Sequence, residues 1–211
     1  PSSVGVVFGI CCSGNMNDLL NAYAFHALHG RAIPLAVCLK LANHTMPTLV
    51  IAGDGDTYGE GGNHFFHACR GNHDLTIIVH DNGVYGLTTG QVAPTAHKGT
   101  ISKSTPTGII ERSVSPLAFA ISQGAKFVAQ SFAGDIPHMK EMIELGMRHR
   151  GLSLVNVLQP CVTFNRVNTY QYYLKNSYKL DAKYDPSSYS GALVKAIEMD
   201  EEKFPLGVIY Q

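Results

Sequence analysis

Asp54 and Asn82 are the two residues of this 211-residue chain whose types and surroundings could do chemistry together. Each follows a short apolar run closely: Thr48-Leu49-Val50-Ile51-Ala52 in one case, Leu75-Thr76-Ile77-Ile78-Val79-His80 in the other. If those runs are neighbouring strands, a carboxylate oxygen and an amide oxygen emerge at one edge of a sheet. Together with a backbone carbonyl they suit a hard cation such as Mg²⁺, which takes about six oxygens and draws part of its shell from phosphates and water. Gly53 and Gly55 flank Asp54 and let backbone N–H groups approach a phosphate, and the helix that follows turns its positive N-terminal end the same way. Gly53-Asp54-Gly55-Asp56 taken alone is also a common turn. A calcium loop is excluded, because Tyr58 and Phe65 fall where such a loop needs oxygen ligands.

The elements that must hold these residues alternate. Strands are expected over 4–10, 48–52, 75–80, 126–132 and 152–158. Helices are expected over 17–25, from Pro34 through Ala42, and over 61–70, 116–123 and 135–149, with Asp135 as the cap of the last. Residues 86–113 are rich in Gly, Thr, Ser and Pro and read as a long loop, a length that is usually functional. Continuous apolar strands alternating with helices imply an α/β fold, a doubly wound, mostly parallel sheet with helices on both faces. In such sheets ligands bind beyond the carboxyl ends of the strands. The expected division is an α/β domain over 1–164 and an irregular, Tyr-rich C-terminal extension over 165–211.

Sixteen basic and sixteen acidic side chains balance, so neither a nucleic-acid surface nor an acidic tail is expected. No apolar run reaches the ~20 residues of a membrane span. Five unevenly spaced cysteines argue against a disulfide framework and for reduced thiols in the cytoplasm or metal ligation. Cys38 and Cys69 read as small core residues, and Lys40 as a solvated lysine on a helix. The chain opens directly on a core strand, which suggests a preceding segment.

The spacing from Asp54 to Asn82 resembles the Gly-Asp-Gly to Asn signature of thiamine-diphosphate enzymes. The longer stretch Gly53-Asp54-Gly55-Asp56, Gly61-Gly62-Asn63-His64 and Asp81-Asn82-Gly83-Val84-Tyr85-Gly86-Leu87-Thr88-Thr89-Gly90-Gln91 is similar to the beta subunit of 2-oxoacid:ferredoxin oxidoreductases, particularly the 2-oxoglutarate type. Gly9-Ile10-Cys11-Cys12-Ser13, Leu28-His29-Gly30-Arg31 and Gln159-Pro160-Cys161-Val162-Thr163-Phe164-Asn165 agree with it. The resemblance implies that Mg²⁺ is held by Asp54, Asn82 and the backbone carbonyl of Val84. It implies that thiamine diphosphate is bound by Cys12, Ser13, His29, Gly53, Asp54, Gly55, Asp56, Asn82, Val84, Tyr85, Gly86, Leu87 and Thr88. Asp81 replaces the usual first Asn of an Asn-Asn pair, at a position that is not a ligand.

The same family carries a [4Fe-4S] cluster, for which Cys12 and Cys161 are the matching ligands. The other two, an N-terminal Cys-x-x-Cys, are absent from this sequence, and Cys11 is a neighbour that could compete. The implied reaction is coenzyme A-dependent oxidative decarboxylation of a 2-oxoacid, 2-oxoglutarate first among them, with electrons passed to ferredoxin. The activating glutamate would come from a partner alpha subunit, leaving His29 as the one candidate catalytic residue here. Relatives often place a basic residue where this chain has Asn15. Two rival readings are a non-redox thiamine-diphosphate decarboxylase or synthase subunit, and a degenerate, non-catalytic subunit.

Overall fold

The computed structural model describes residues 3–201 and 203–211. The first apolar run forms β1 (Gly5–Phe8), every residue of which is buried. Next come a 3-10 helix (Cys12–Leu19) and β2 (Tyr23–His26), which pairs parallel with β1 at the edge of the sheet. The helix expected over 17–25 is therefore absent. Leu19, Leu20, Tyr23 and Phe25 mimic a helical stripe, yet all four are exposed.

Helix α1 (Ala32–Ala42) leads into β3 (Thr48–Gly53). A π-helical turn (Gly55–Glu60) then feeds α2 (Gly62–Gly71), which Asn72 ends in the left-handed region at φ 48°. β4 (Thr76–Asp81) follows, and a small antiparallel hairpin, β5 (Val84–Tyr85) with β6 (Gln91–Val92), opens the long loop. Beyond the loop lie α3 (Pro116–Ser122), β7 (Phe127–Phe132), α4 (Ile136–Arg148) and β8 (Ser153–Leu158).

The sheet order is β2-β1-β3-β4-β8-β7, all parallel. Apart from the edge strand β2, its strands are buried on both faces, which is why they read as unbroken apolar runs. One face packs against α1, α2 and α3 through Ala36, Phe65 and Leu117. The other packs against α4 and the 3-10 helix through Met142 and Met16.

The C-terminal stretch is not an irregular extension. It holds α5 (Tyr170–Asn176), β9 (Ser177–Lys179), α6 (Tyr189–Ile197) and β10 (Phe204–Tyr210). β10 joins the main sheet antiparallel to β7, β9 extends it further, and α6 buries Ala192 and Ala196 in the main core. Short elements carry too few turns to show a period, so no pattern of residues announces them. Two smaller readings also change. Cys69 is buried but Cys38 is exposed, and Lys40 is 8% exposed rather than solvated.

Candidate functional site

The register of β3 on β4 sets Gly53 beside His80, so the next residues, Asp54 and Asp81, leave the sheet at one level. Asp54 is 2% exposed. Its Oδ2 accepts hydrogen bonds from the Gly83 N–H at 2.9 Å and from the Thr95 hydroxyl at 2.5 Å. The carboxylate is thereby fastened within one residue of Asn82. Gly83 makes this turn at φ 71°, a conformation that favours glycine. The Asn82 amide oxygen accepts from the Val84 N–H at 3.0 Å, which leaves it a second lone pair.

In the hairpin the carbonyls of Gly83 and Tyr85 accept from Ala93 and Gly90. Strand alternation turns the Val84 carbonyl between them to the opposite side. Asp54, Asn82 and Val84 thus line one cavity at the carboxyl edge of the sheet. Burial raises the Asp54 carboxyl above the carboxylate range, and the charge of Asp81 adds to this. Asp81 is raised chiefly by its own burial. Two buried acids side by side favour a bound cation or a proton. The oxygen donors fit Mg²⁺ in type. Among the described residues no group of three or more His, Cys, Asp or Glu side chains could hold a metal ion; the candidate donors here are of another kind, one carboxylate, one amide and one backbone carbonyl.

One cavity gathers Cys12, Ser13, His29, Gly53, Asp54, Gly55, Asp56, Asn82, Val84, Tyr85, Gly86, Leu87 and Thr88. Asp56 braces its wall, accepting from the backbone N–H groups of Ile10 at 3.1 Å and Gly30 at 2.8 Å. His29 stands at the rim with Nδ1 3.3 Å from Glu60 and Nε2 3.8 Å from Asp56. The Tyr85 ring lies against the Gly55 backbone, where a Cβ would come within 2.2 Å of it, and its hydroxyl donates to Glu60 at 3.1 Å.

Two thiols flank the cavity. A Cβ on Gly86 would stand 3.1 Å from the Cys12 sulfur and 3.9 Å from that of Cys161. Burial, then the neighbouring Cys161, raises the Cys12 thiol. Cys11 is a poorer competitor. Its sulfur lies 2.6 Å from the Ser13 hydroxyl, and burial pushes it up to about 11. A [4Fe-4S] cluster needs four thiolates, of which Cys12 and Cys161 are two candidates.

Ile10, Cys11, His80 and Gln159 line the same cavity, although their types and spacing do not place them there. His80 is held neutral by burial, its value lowered to about 4, and its Nδ1 is enclosed without a partner. Thr95 and Asn165, which donates to the Asn82 carbonyl at 2.8 Å, come from distant segments and carry no local signal. Lys40 lies away from the site, bonded to Asp74 at 2.8 Å.

Residues 9–157 match the family described as thiamine pyrophosphate enzyme, C-terminal TPP binding domain. Residues 161–211 match the family that describes the C-terminal part of the pyruvate ferredoxin oxidoreductase beta subunit. The 2-oxoacid:ferredoxin oxidoreductase subunit beta of Saccharolobus solfataricus is 43% identical over 100% of this chain and 73% of its own length. The 2-oxoglutarate synthase subunit KorB of Archaeoglobus fulgidus is 42% identical over 77% of this chain and 61% of its own. A 2-oxoglutarate:ferredoxin oxidoreductase from Magnetococcus marinus, solved with 2-oxoglutarate, coenzyme A and succinyl-CoA bound, superposes at a TM-score of 0.96 with 34% identity over 100% of this chain and 72% of that one. The chain belongs to the beta subunits of the 2-oxoacid:ferredoxin oxidoreductases, within the thiamine-diphosphate enzymes.

Proposed function

We propose that this chain holds thiamine diphosphate through a Mg²⁺ ion on Asp54, Asn82 and the Val84 carbonyl. With an alpha subunit it would oxidatively decarboxylate a 2-oxoacid, 2-oxoglutarate first among them, onto coenzyme A and deliver the electrons to ferredoxin. The observation that supports the reading is that Asp54, Asn82 and Val84 line one cavity beyond the ends of β3 and β4, with Gly83 bonded to Asp54 and Asn165 to the Asn82 carbonyl. Bound there, thiamine diphosphate supplies the electron sink for decarboxylation.

The chain's own residues do the rest by placement. Gly53 and Gly55 let Cys11 and the Tyr85 ring pack against the backbone beside Asp54, and the following helical turn would present N–H groups to a diphosphate. Asp56 ties Ile10 and Gly30 together so that His29 reaches the rim. His29, between two carboxylates, would donate to an anionic group entering the cavity. Cys12 and Cys161 would be this chain's share of a [4Fe-4S] cluster.

The test is binding and turnover by the complex with its alpha subunit. Wild type should bind thiamine diphosphate only with a divalent ion and reduce ferredoxin when given a 2-oxoacid and coenzyme A. Asp54→Asn should lose binding at least a hundredfold, as expected when a charged ligand is removed from a buried site. Retained cofactor affinity in that variant would refute the proposal.

A further inference from the structure

Thr95 stands where it controls the carboxylate of Asp54, and we propose that it is a positioning residue for the divalent ion. The inference rests on the reading of Asp54 as a metal ligand. A carboxylate can rotate about its last bond, and only one orientation turns an oxygen to the cavity while the other faces the protein. Here Oδ2 is the oxygen facing the protein, because the Gly83 N–H and the Thr95 hydroxyl both donate to it, at 2.9 and 2.5 Å. Those two donors fix the rotation of the carboxylate, which also hydrogen-bonds with the Gly55 N–H and with Asp81.

The Gly83 bond comes from the turn that carries Asn82, 29 positions along the chain. The Thr95 bond comes from the long loop, 41 positions along. The loop is built to deliver it. The Ala93 N–H reaches back to the Gly83 carbonyl at 3.1 Å, and Val114 closes on the Pro94 carbonyl at 2.8 Å. Ala93 and Ala96 on either side are buried at 1% and 3%, while Lys98 and Lys103 farther along are exposed. The segment 93–96 is therefore anchored by two buried alanines, with Thr95 half-buried between them against Asp54. The same hydroxyl also hydrogen-bonds with the second buried acid, Asp81.

The experiment measures Mn²⁺ affinity by electron paramagnetic resonance on the complex of this subunit with its alpha subunit, in wild type, Thr95→Val, Thr95→Ser and Asp54→Asn. Losing one hydrogen bond to a charged group is expected to weaken Mn²⁺ at least tenfold in Thr95→Val, while Thr95→Ser stays within about twofold of wild type. Thr95→Ala takes the place of the valine variant should that one not fold. Wild-type affinity in the hydroxyl-free variant, alongside a loss in Asp54→Asn, overturns the role of Thr95 and leaves the metal ligand standing. Unchanged affinity in Asp54→Asn overturns both. A serine variant as weak as the valine one also overturns it, since the hydroxyl would then not be the cause.

Discussion

Lys40 is 8% exposed although it lies on a helix near the chain surface. Its ammonium is 2.8 Å from Asp74 and donates to the Met46 carbonyl at 3.1 Å, because an amine out of water needs partners. Burial alone would raise the Asp74 carboxyl, but the hydrogen bonds from Lys40 and Gly151 outweigh it and the value falls below the ordinary one. A carboxyl lowered by folding stabilises the protein above its unfolded value, near 4, and loses that contribution as pH drops through the folded value. Lys40→Met should therefore cost about 1–3 kcal/mol at pH 7, reduced from a fully buried pair because solvent reaches Asp74. The gap to wild type should shrink at pH 3, and urea unfolding at both pH values measures it. An equal gap at the two would mean that packing of the stem, not the ion pair, is what Lys40 provides. Nothing near position 40 in sequence announces this, since Asp74 and Met46 meet it only in the folded chain. Asp54 and Asn82 stand out for the opposite reason: type and position at strand ends make them candidates in the sequence, and the fold brings both to one cavity.

Strands and helices announce themselves where punctuation and period agree. Asp135 is one such mark: its side chain accepts from the His138 N–H at 3.2 Å to start α4, and it also pairs with Lys179 at 2.8 Å. Asp135→Ala should lower stability by about 1 kcal/mol, read as a shift in melting temperature, with the far-ultraviolet dichroism unchanged. The segment 17–25 reads as a helix and is not one, because β2 is an edge strand exposed at all four residues and its apolar side chains follow no core-facing rule. The π-helical turn at Gly55–Glu60 leaves no mark in the sequence either, although its first residue matters most. An alanine at Gly55 would put Cβ 2.2 Å from the Tyr85 ring. Gly55→Ala should push Tyr85 aside, break its bond to Glu60 and weaken thiamine diphosphate at least tenfold by titration calorimetry. Unaltered affinity would show that the ring can retreat without moving the cavity wall.

The whole molecule is a sheet completed by its own tail. β10 covers the outer edge of β7, and Phe204, Leu206 and Ile209 are buried at 2%, 5% and 0%. Phe204 and Leu206 join Phe132, Leu158 and Tyr173 in a cluster at the carboxyl ends of β7 and β8. The Pro205 carbonyl accepts from Gln130, whose amide oxygen in turn takes a hydrogen bond from Asn156, which also donates to Asp81 beside Asp54. The tail thus supports the floor of the candidate site from the far side of the sheet. Burying three large apolar side chains contributes roughly 1.5–3 kcal/mol each, a sum comparable with the 5–15 kcal/mol that holds a typical domain folded. Ending the chain after residue 203 would remove them and leave β7, a buried and mostly apolar strand, as an open edge. Such a truncation should lose its cooperative thermal transition and associate on sizing columns, while Gln130→Leu, which breaks only the polar link, should fold. If the shortened chain instead melts sharply within a few degrees of the parent and still takes up the cofactor, the tail is an appendage and the sheet is complete without it.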